Sequence, residues 1–337
     1  MAHPQRSIVA AVTLFFITPL VAEYLLGDFP VTFLSPLIMM TPFYGAGALL
    51  IRDLARRTGR GWPTMLLLGC AYCLIEEGYT TQTLFNPDAL GLHLHLLAPA
   101  WIPALGIGAW WTLFMLNVHA FWSIGVSIAL VEGLFPTLAD TPWLGNVGDG
   151  VAAVLFVAGA CANTAYSIHH YHFVASATQF TVTAVFCALF VVAAFLIPAF
   201  APRTRAGAAP SAWLAGLVAF LLGFAVFLAP VNLGWAAVAW IAAADLIFLL
   251  LLWVFSRRGS WTPLHTFSIG AAGALVYAVH AFLQGPVVPT PKNVALLSHV
   301  ILFVLALALI AFAARRIRSA PLGDVASTAH QIAASGT

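Results

Sequence analysis

Hydrophobic residues are concentrated in long runs along this chain, and short breaks rich in polar residues, proline or glycine separate them. About 20 consecutive apolar residues are enough for a helix to cross the hydrocarbon core of a bilayer. The break Gly27-Asp28-Phe29-Pro30 divides the first two runs, and several later breaks are of the same kind. The runs predict transmembrane helices at 7–26, 33–51, 63–80, 108–135, 150–170, 177–200, 213–229, 236–255, 264–284 and 294–314.

The predicted fold is therefore an all-α polytopic membrane protein with about ten transmembrane helices. The first run has no clear Ala-x-Ala cleavage site, so it is interpreted as an uncleaved span rather than a signal peptide. Hydrophobic residues make up 62% of the 337 residues and charged residues only 7%, whereas a soluble domain carries about 25% charged residues. The lipid bilayer is the expected partner, and no nucleic-acid binding is predicted.

The basic residues predict the orientation of the spans. With the N-terminus in the cytoplasm, all but one of the 13 Lys and Arg residues fall on the cytoplasmic side, as the positive-inside rule requires. The exception is Lys292. Both termini are thus predicted to be cytoplasmic, and the protein is expected in the cell inner (cytoplasmic) membrane. The cytoplasmic basic residues are Arg6, Arg52, Arg56, Arg57, Arg60, Arg203, Arg205, Arg257, Arg258, Arg315, Arg316 and Arg318.

The basic segment 201–212, rich in small residues, is predicted to be a cytoplasmic linker between two membrane bundles. Residues 1–200 form the predicted six-span bundle, which holds most of the polar residues found inside spans and therefore the candidate site. Residues 213–318 form a predicted four-span bundle, and residues 319–337 a disordered cytoplasmic tail.

Glu76 and Glu77 are adjacent near the outer end of the third span. An ionisable residue inside a bilayer costs several kcal/mol and is a functional candidate by default. Neighbouring helix positions point about 100° apart, so both carboxylates can border one cavity. Two carboxylates this close do not both ionise cheaply in a low dielectric, which favours a general base at neutral pH. The alternative is a polar cap on a broken helix at the water interface.

Histidines on the next two spans are the predicted partners of this pair. His119 lies near the middle of the fourth span, and His170 lies on a polar face that leads from the membrane interior to the outer surface. We predict that His170 faces His119 and Glu76. A core histidine and an interfacial polar belt are the alternatives. The run His169-His170-Tyr171-His172 also allows a zinc or copper site, and no cofactor is otherwise indicated.

The sequence does not assign a single role to the other polar residues inside spans. Cys70-x-x-Cys73 lies on one helical face, but all four cysteines fall in apolar runs, so packing is favoured over a redox role. Glu132 and Asp245 are candidates for a proton or ion path, and neither has a partner nearby in sequence.

The order of these residues resembles the glutamate intramembrane proteases of the CAAX-protease and bacteriocin-processing family. The motifs of that family are Glu-Glu-x-x-x-Arg, Phe-x-x-x-His and His-x-x-x-Asn. This chain reads Glu76-Glu77-Gly78-Tyr79-Thr80-Thr81 at the first and Met115-x-x-x-His119 at the second, and the third is not matched. The resemblance covers roughly residues 63–175. It implies that Glu76 or Glu77 activates a water molecule and that His119 and His170 help to stabilise the oxyanion.

Three classes of function remain open. The first is a CAAX-protease-like or degenerate membrane hydrolase, metal-dependent or of glutamate type, with Glu76, Glu77, His119 and His170 as its site. The second is a proton- or ion-coupled transporter in which the glutamates, His119 and Asp245 bind protons or cations. The third is a structural or assembly protein whose polar residues only hold helices together. A shared water position favours the first class, and a polar path from both faces favours the second.

Overall fold

The computed structural model of the chain describes residues 4–91, 93–198 and 207–320. Within these ranges the chain is almost entirely helical, and its one sheet is a short antiparallel ribbon that pairs Trp101–Ile102 with Ile107–Gly108. The α-helices are α1 (Pro4–Pro19), α2 (Ser35–Arg57), α3 (Trp62–Ile75), α4 (Ala109–Asn117), α5 (Val126–Leu134), α6 (Asn146–Tyr171), α7 (Ala177–Leu196), α8 (Ala212–Phe227), α9 (Trp235–Phe255), α10 (Pro263–Gln284) and α11 (Lys292–Ser319).

Three of these helices continue directly into π-helical segments: π1 (Leu20–Leu25) extends α1, π2 (Glu76–Thr80) extends α3, and π3 (Val118–Gly125) joins α4 to α5. Helix starts follow familiar chemistry. A capping box of Ser176 and Gln179 opens α7, and proline occupies the first turn of α2, α3 and α10.

Each predicted span contains a helix, and α4, π3 and α5 together form the rod in the predicted span 108–135. Eight of them, in the part of the chain that the structure describes, are long and apolar enough to cross a membrane. Helix α8 is apolar but has 16 residues, which span about 24 Å, less than the ~30 Å hydrocarbon core. The rod made of α3 and π2 is the other helix that falls outside those eight. The chain is thus an all-α protein with at least eight candidate membrane helices.

Some of the predicted features lie outside the described residues. The predicted tail is described only at Ser319 and Ala320, and the predicted linker only from Gly207 onward. Arg203 and Arg205, which contribute to the predicted orientation, belong to the undescribed part of the linker.

Packing centres on the rod formed by α4, π3 and α5. Helix α10 packs against α5, π3 and π1 as well as α8 and α11, so helices from both predicted bundles contact each other. On the other side, α2 packs against α1 and α6, and α3 packs against α7 and π3. Large side chains such as Tyr24, Phe43, Met65, Ile128 and Tyr277 are fully buried between these helices.

At the end of α2 the structure buries an arginine completely. Arg52 has no exposed surface and donates from Nε to Glu132 Oε1 at 3.0 Å. Its Nη atoms donate to the carbonyls of Leu138, Ala139 and Thr141, and its guanidinium lies 3.3 Å from the ring centroid of Trp143. Glu132, predicted to belong to an ion path, instead forms a buried ion pair that joins α2 to α5.

The pair predicts a large stability effect at Glu132. Glu132→Ala removes the buried carboxylate that pairs with both Arg52 and Arg56, and it leaves Arg52 with Asp53 as its remaining buried carboxylate partner; breaking a buried pair in this way typically costs about 3–5 kcal/mol. We expect a clear fall in the melting temperature of the detergent-purified protein, measured by fluorescence-detected size exclusion. Asp140→Asn is the control, because Asp140 binds Arg56 but is 79% exposed, and exposed pairs contribute about 0–1 kcal/mol. Equal effects of the two substitutions would contradict the role given to Glu132.

Candidate functional site

Three π-helical segments bring ionisable side chains to one buried region. Glu23 lies in π1, Glu76 and Glu77 open π2, and His119 lies in π3. Segment π1 packs against π3, and π3 packs against α3 just before π2. A π-turn widens a helix and changes the direction of the side chains that follow it, and such turns are frequent at functional sites. The backbone irregularities and the acidic residues therefore coincide.

The imidazole of His119 lies between two carboxylates. Its Nε2 is 2.7 Å from Glu77 Oε1, within hydrogen-bond geometry, and its Nδ1 is 3.0 Å from Glu76 Oε2. The second contact does not meet hydrogen-bond geometry, so both of its atoms lack a hydrogen-bond partner within the described residues. His119 is 4% exposed and each glutamate 5%. These three residues are called the Glu/His cluster below.

The loop that follows π2 fixes Glu77 and covers it. Thr81 Oγ1 donates to Glu77 Oε2 at 3.1 Å, and Thr83 Oγ1 donates to the same oxygen. Trp111 Nε1 in turn donates to Thr83 Oγ1 at 3.1 Å. Residues 82–86 are buried. Glu77 is thus held from three directions, by His119 and two threonines, whereas the Glu76 carboxylate is not held in this way.

Two tyrosines and a third glutamate surround the cluster. The rings of Tyr44 and Tyr72 lie 6.3 and 6.2 Å from the His119 ring. Tyr44 Oη donates to Glu23 Oε1 at 2.6 Å, and Glu23 lies near enough to interact electrostatically with Glu76 and His119. Tyr72 lies against Glu76, but its hydroxyl makes no well-aligned hydrogen bond in the described part of the chain.

A fourth carboxyl group belongs to Asp28, in the loop after π1. Gln284 Nε2 donates to Asp28 Oδ1, and Asp28 also interacts electrostatically with His119. Burial raises the pKa of the Asp28 carboxyl to about 7. Two carboxylates therefore contact the imidazole, and two more carboxyl groups interact with it at longer range.

The structure does not bring His170 into this group. His170 is exposed in the last turn of α6, and its ring stacks on Tyr166 at a centroid distance of 5.4 Å. On the face of α6 that carries His170, the buried residues include Asn163 and Ser167, which lie closer to the start of the helix. The histidine run that ends α6 does not gather into a metal-binding group either. Among the described residues, Glu76, Glu77 and His119 are the only group of three or more whose metal-ligand atoms all lie within 4.8 Å of one another.

Asp245 lies in a different place, beside an apolar cavity of about 420 Å³ that Cys70 also lines. Asn117 Nδ2 donates to Asp245 Oδ2 at 3.0 Å. Asn117 and His119 are two positions apart, and so they point to opposite sides of their helix. Asp245 and the Glu/His cluster are separate features.

Sequence reasoning placed Glu76, Glu77 and His119 in one site and missed several residues around them. Glu23 carries the same signal as Glu76, a carboxylate inside an apolar run, so the same reasoning could have added it to the predicted site. Tyr44 and Thr83 carry no such signal, because both residue types are ordinary components of membrane helices and loops.

The whole Glu/His cluster falls in a segment that is shared with other proteins. A model of an uncharacterized membrane protein family matches residues 12–189, a little over half of the chain. The chain belongs to this family. The match, together with the apolar helices, makes the protein a multi-pass helical membrane protein embedded in a lipid bilayer. No curated protein and no solved structure matches the chain.

The approach of π3 to α3, which brings His119 to the glutamates, depends on Gly69. A Cβ atom at Gly69 would lie 2.9 Å from the Ala120 Cα, too close without backbone movement. We expect Gly69→Val to separate the two segments and to destabilise the protein by about 1–3 kcal/mol, seen as a lower melting temperature in detergent. Gly150→Ala is the control, since a Cβ there meets no atom within 4 Å. A Gly69→Val protein as stable as wild type would contradict this account.

Proposed function

We propose that this membrane protein is an intramembrane hydrolase whose Glu/His cluster activates water. The observation that carries the proposal is the position of His119, with one ring nitrogen beside each of two nearly fully buried carboxylates. A catalytic base must lie within hydrogen-bond distance of the group with which it exchanges a proton, and a further group must orient it. The cluster meets both conditions.

The contacts give each residue a different role. Glu77 is held by His119, Thr81 and Thr83, so it orients the imidazole. Glu76 Oε2 has no hydrogen-bond partner within the described residues and takes the proton from water. The resulting hydroxide attacks a carbonyl carbon of the substrate, and His119 stabilises the oxyanion. The bond to the leaving group then breaks as Glu76 returns the proton. The resemblance to CAAX-type glutamate proteases implies that Glu76 or Glu77 activates the water and that His119 helps to stabilise the oxyanion.

Transport is the second candidate, and packing weighs against it. A conduit needs polar groups toward both faces. Between the Glu/His cluster and the Arg52 end of the protein, the fully buried side chains include Leu14, Met65 and Ile128. An apolar layer of this kind is more compatible with a site that opens toward one face than with a path through the membrane.

Ten spans with both termini cytoplasmic, in the inner membrane, are part of the proposal. Its support is the clustering of Arg52, Arg56, Arg57 and Arg60 at one end of α2, where they meet acidic or carbonyl groups from α5, α6 and α7. In this orientation the Glu/His cluster lies nearer the outer face.

Reporter fusions test this topology in a bacterial host. Green fluorescent protein fused after Gly145 or Gly259 is expected to fluoresce, because both sites lie in predicted cytoplasmic loops. Alkaline phosphatase fused after Val174, Val231 or Val288 is expected to be active outside. If α3 with π2 does not cross the membrane, Gly145 lies outside and Val174 lies in the cytoplasm, so each reporter there gives the opposite result. If α8 alone does not cross, the results at Gly145 and Val174 stay as predicted and those from Val231 onward are reversed.

Hydrolysis can be tested before a substrate is identified. Membranes that contain the protein are incubated in H₂¹⁸O, and peptides and lipids with ¹⁸O in a newly formed carboxylate are detected by mass spectrometry. We expect products that wild type forms and that fall at least about 100-fold in Glu76→Gln, because general-base catalysis contributes about 10²–10⁴. His119→Asn is expected to lose them to a similar extent.

His170→Asn is the matched control, because it changes an exposed histidine outside the cluster, and it should leave the products unchanged. Identical ¹⁸O patterns for wild type and a folded Glu76→Gln protein would overturn the hydrolase proposal. That result would favour a structural role for the cluster.

A further inference from the structure

The charge balance of the site is unusual for a protein interior. Glu76 and Glu77 contact His119, whereas Glu23 and Asp28 interact with it electrostatically at longer range, and within the described residues the only ion pairs of Glu76 and Glu77 are with that histidine. A protonated imidazole carries one positive charge and can compensate only one of these carboxylates. Uncompensated charges in a low dielectric cost several kcal/mol each. The site therefore needs additional positive charge, in the form of protons or of a cation.

Three buried atoms indicate where a cation fits. Glu76 Oε2, His119 Nδ1 and Tyr72 Oη each lack a hydrogen-bond partner in the part of the chain that the structure describes. Their residues are 5%, 4% and 2% exposed. Buried polar atoms are paired in more than about 90% of cases, so three unpaired atoms from neighbouring residues are strong evidence for a ligand between them.

The spacing of these atoms agrees with metal coordination. Two ligands at about 2.1 Å from an ion and at right angles to each other lie about 3.0 Å apart, and His119 Nδ1 and Glu76 Oε2 are separated by 3.0 Å. The other ring nitrogen contacts Glu77 Oε1 at 2.7 Å. Histidines that bind metals almost always donate their second N–H to a carboxylate, which fixes the ring. Glu77, with its two threonine contacts, occupies that position.

The geometry points to a divalent first-row transition-metal site, with His119 Nδ1 and Glu76 Oε2 as ligands and Glu77 as the carboxylate that orients the imidazole. Imidazole and carboxylate donors suit Zn²⁺ and Mn²⁺. A second positive charge also neutralises the excess of carboxylates. As the cofactor of the hydrolase the ion would lower the pKa of a bound water and would replace Glu76 as the group that activates it, because Glu76 Oε2 is then a ligand. In that chemical role the inference rests on the proposed function, whereas the binding of metal does not.

Metal content tests the inference directly. The full-length protein is purified in detergent, stripped with EDTA, incubated with ZnCl₂ or MnCl₂ and desalted, and its metal is measured by inductively coupled plasma mass spectrometry. We expect about one ion per chain for wild type and less than about a tenth of that for Glu76→Gln and His119→Asn. Glu77→Gln should weaken binding about 10- to 100-fold.

Two controls separate this site from surface binding and from misfolding. His170→Asn should bind metal like wild type, because it alters the exposed histidine run only. Tyr72→Phe removes one hydroxyl without changing the size of the ring or any charge; it should shift the visible spectrum of the Co²⁺-loaded protein. Size exclusion and melting curves confirm the fold of each variant.

Folded wild type that binds no metal overturns the inference, and so does metal that His119→Asn retains or that His170→Asn loses. The two proposals fail separately. Metal bound at the cluster without ¹⁸O products removes the hydrolase and keeps the metal site. Products formed at full rate by EDTA-stripped protein would exclude a catalytic role for the metal and would favour a glutamate-type hydrolase.

Discussion

The structure depends on one constraint, which is that carboxylates buried in a membrane must be compensated locally. At the Arg52 end, Glu132 is compensated by two guanidinium groups, and the result is a closed ion pair that joins two helices. Around His119, carboxyl groups outnumber the one cation available to them. The same residue type therefore serves as a structural element in one half of the membrane and remains chemically available in the other.

The π-helical segments explain how straight helices create such a site. In regular α-helices the side chains of Glu23, Glu76 and His119 would follow the packing faces of their neighbours. The wider turns change those directions while the apolar residues on either side keep their packing. Glycine at position 69 and alanine at position 120 let the backbones approach, so that a short histidine reaches two glutamates. The site thus lies where the backbone departs from regular α-helix, and well-packed helices on each side support it.

Much of the fold follows from the sequence, because apolar runs of the length of a bilayer have few alternatives to helix. Glu76, Glu77 and His119 were also predictable, since an ionisable residue within such a run needs a reason to be there. The exposure of His170 was not predictable, because it depends on where the neighbouring helices end and not on the periodicity of α6. The π-turns leave no mark in residue composition, and the partnership of Arg52 with Glu132 joins residues that are 80 positions apart.

That separation has a consequence for biosynthesis. Arg52 leaves the ribosome before most of its acceptors: Asp53 follows it directly, and the others lie between Glu132 and Thr141. At about 5–20 residues per second, an interval of 80 residues lasts about 4–16 s. During this time Asp53 is available to the guanidinium, but its other acceptors have not yet been made. The contacts that bury the end of α2 can therefore form only after α5 and the loop that follows it have been synthesised.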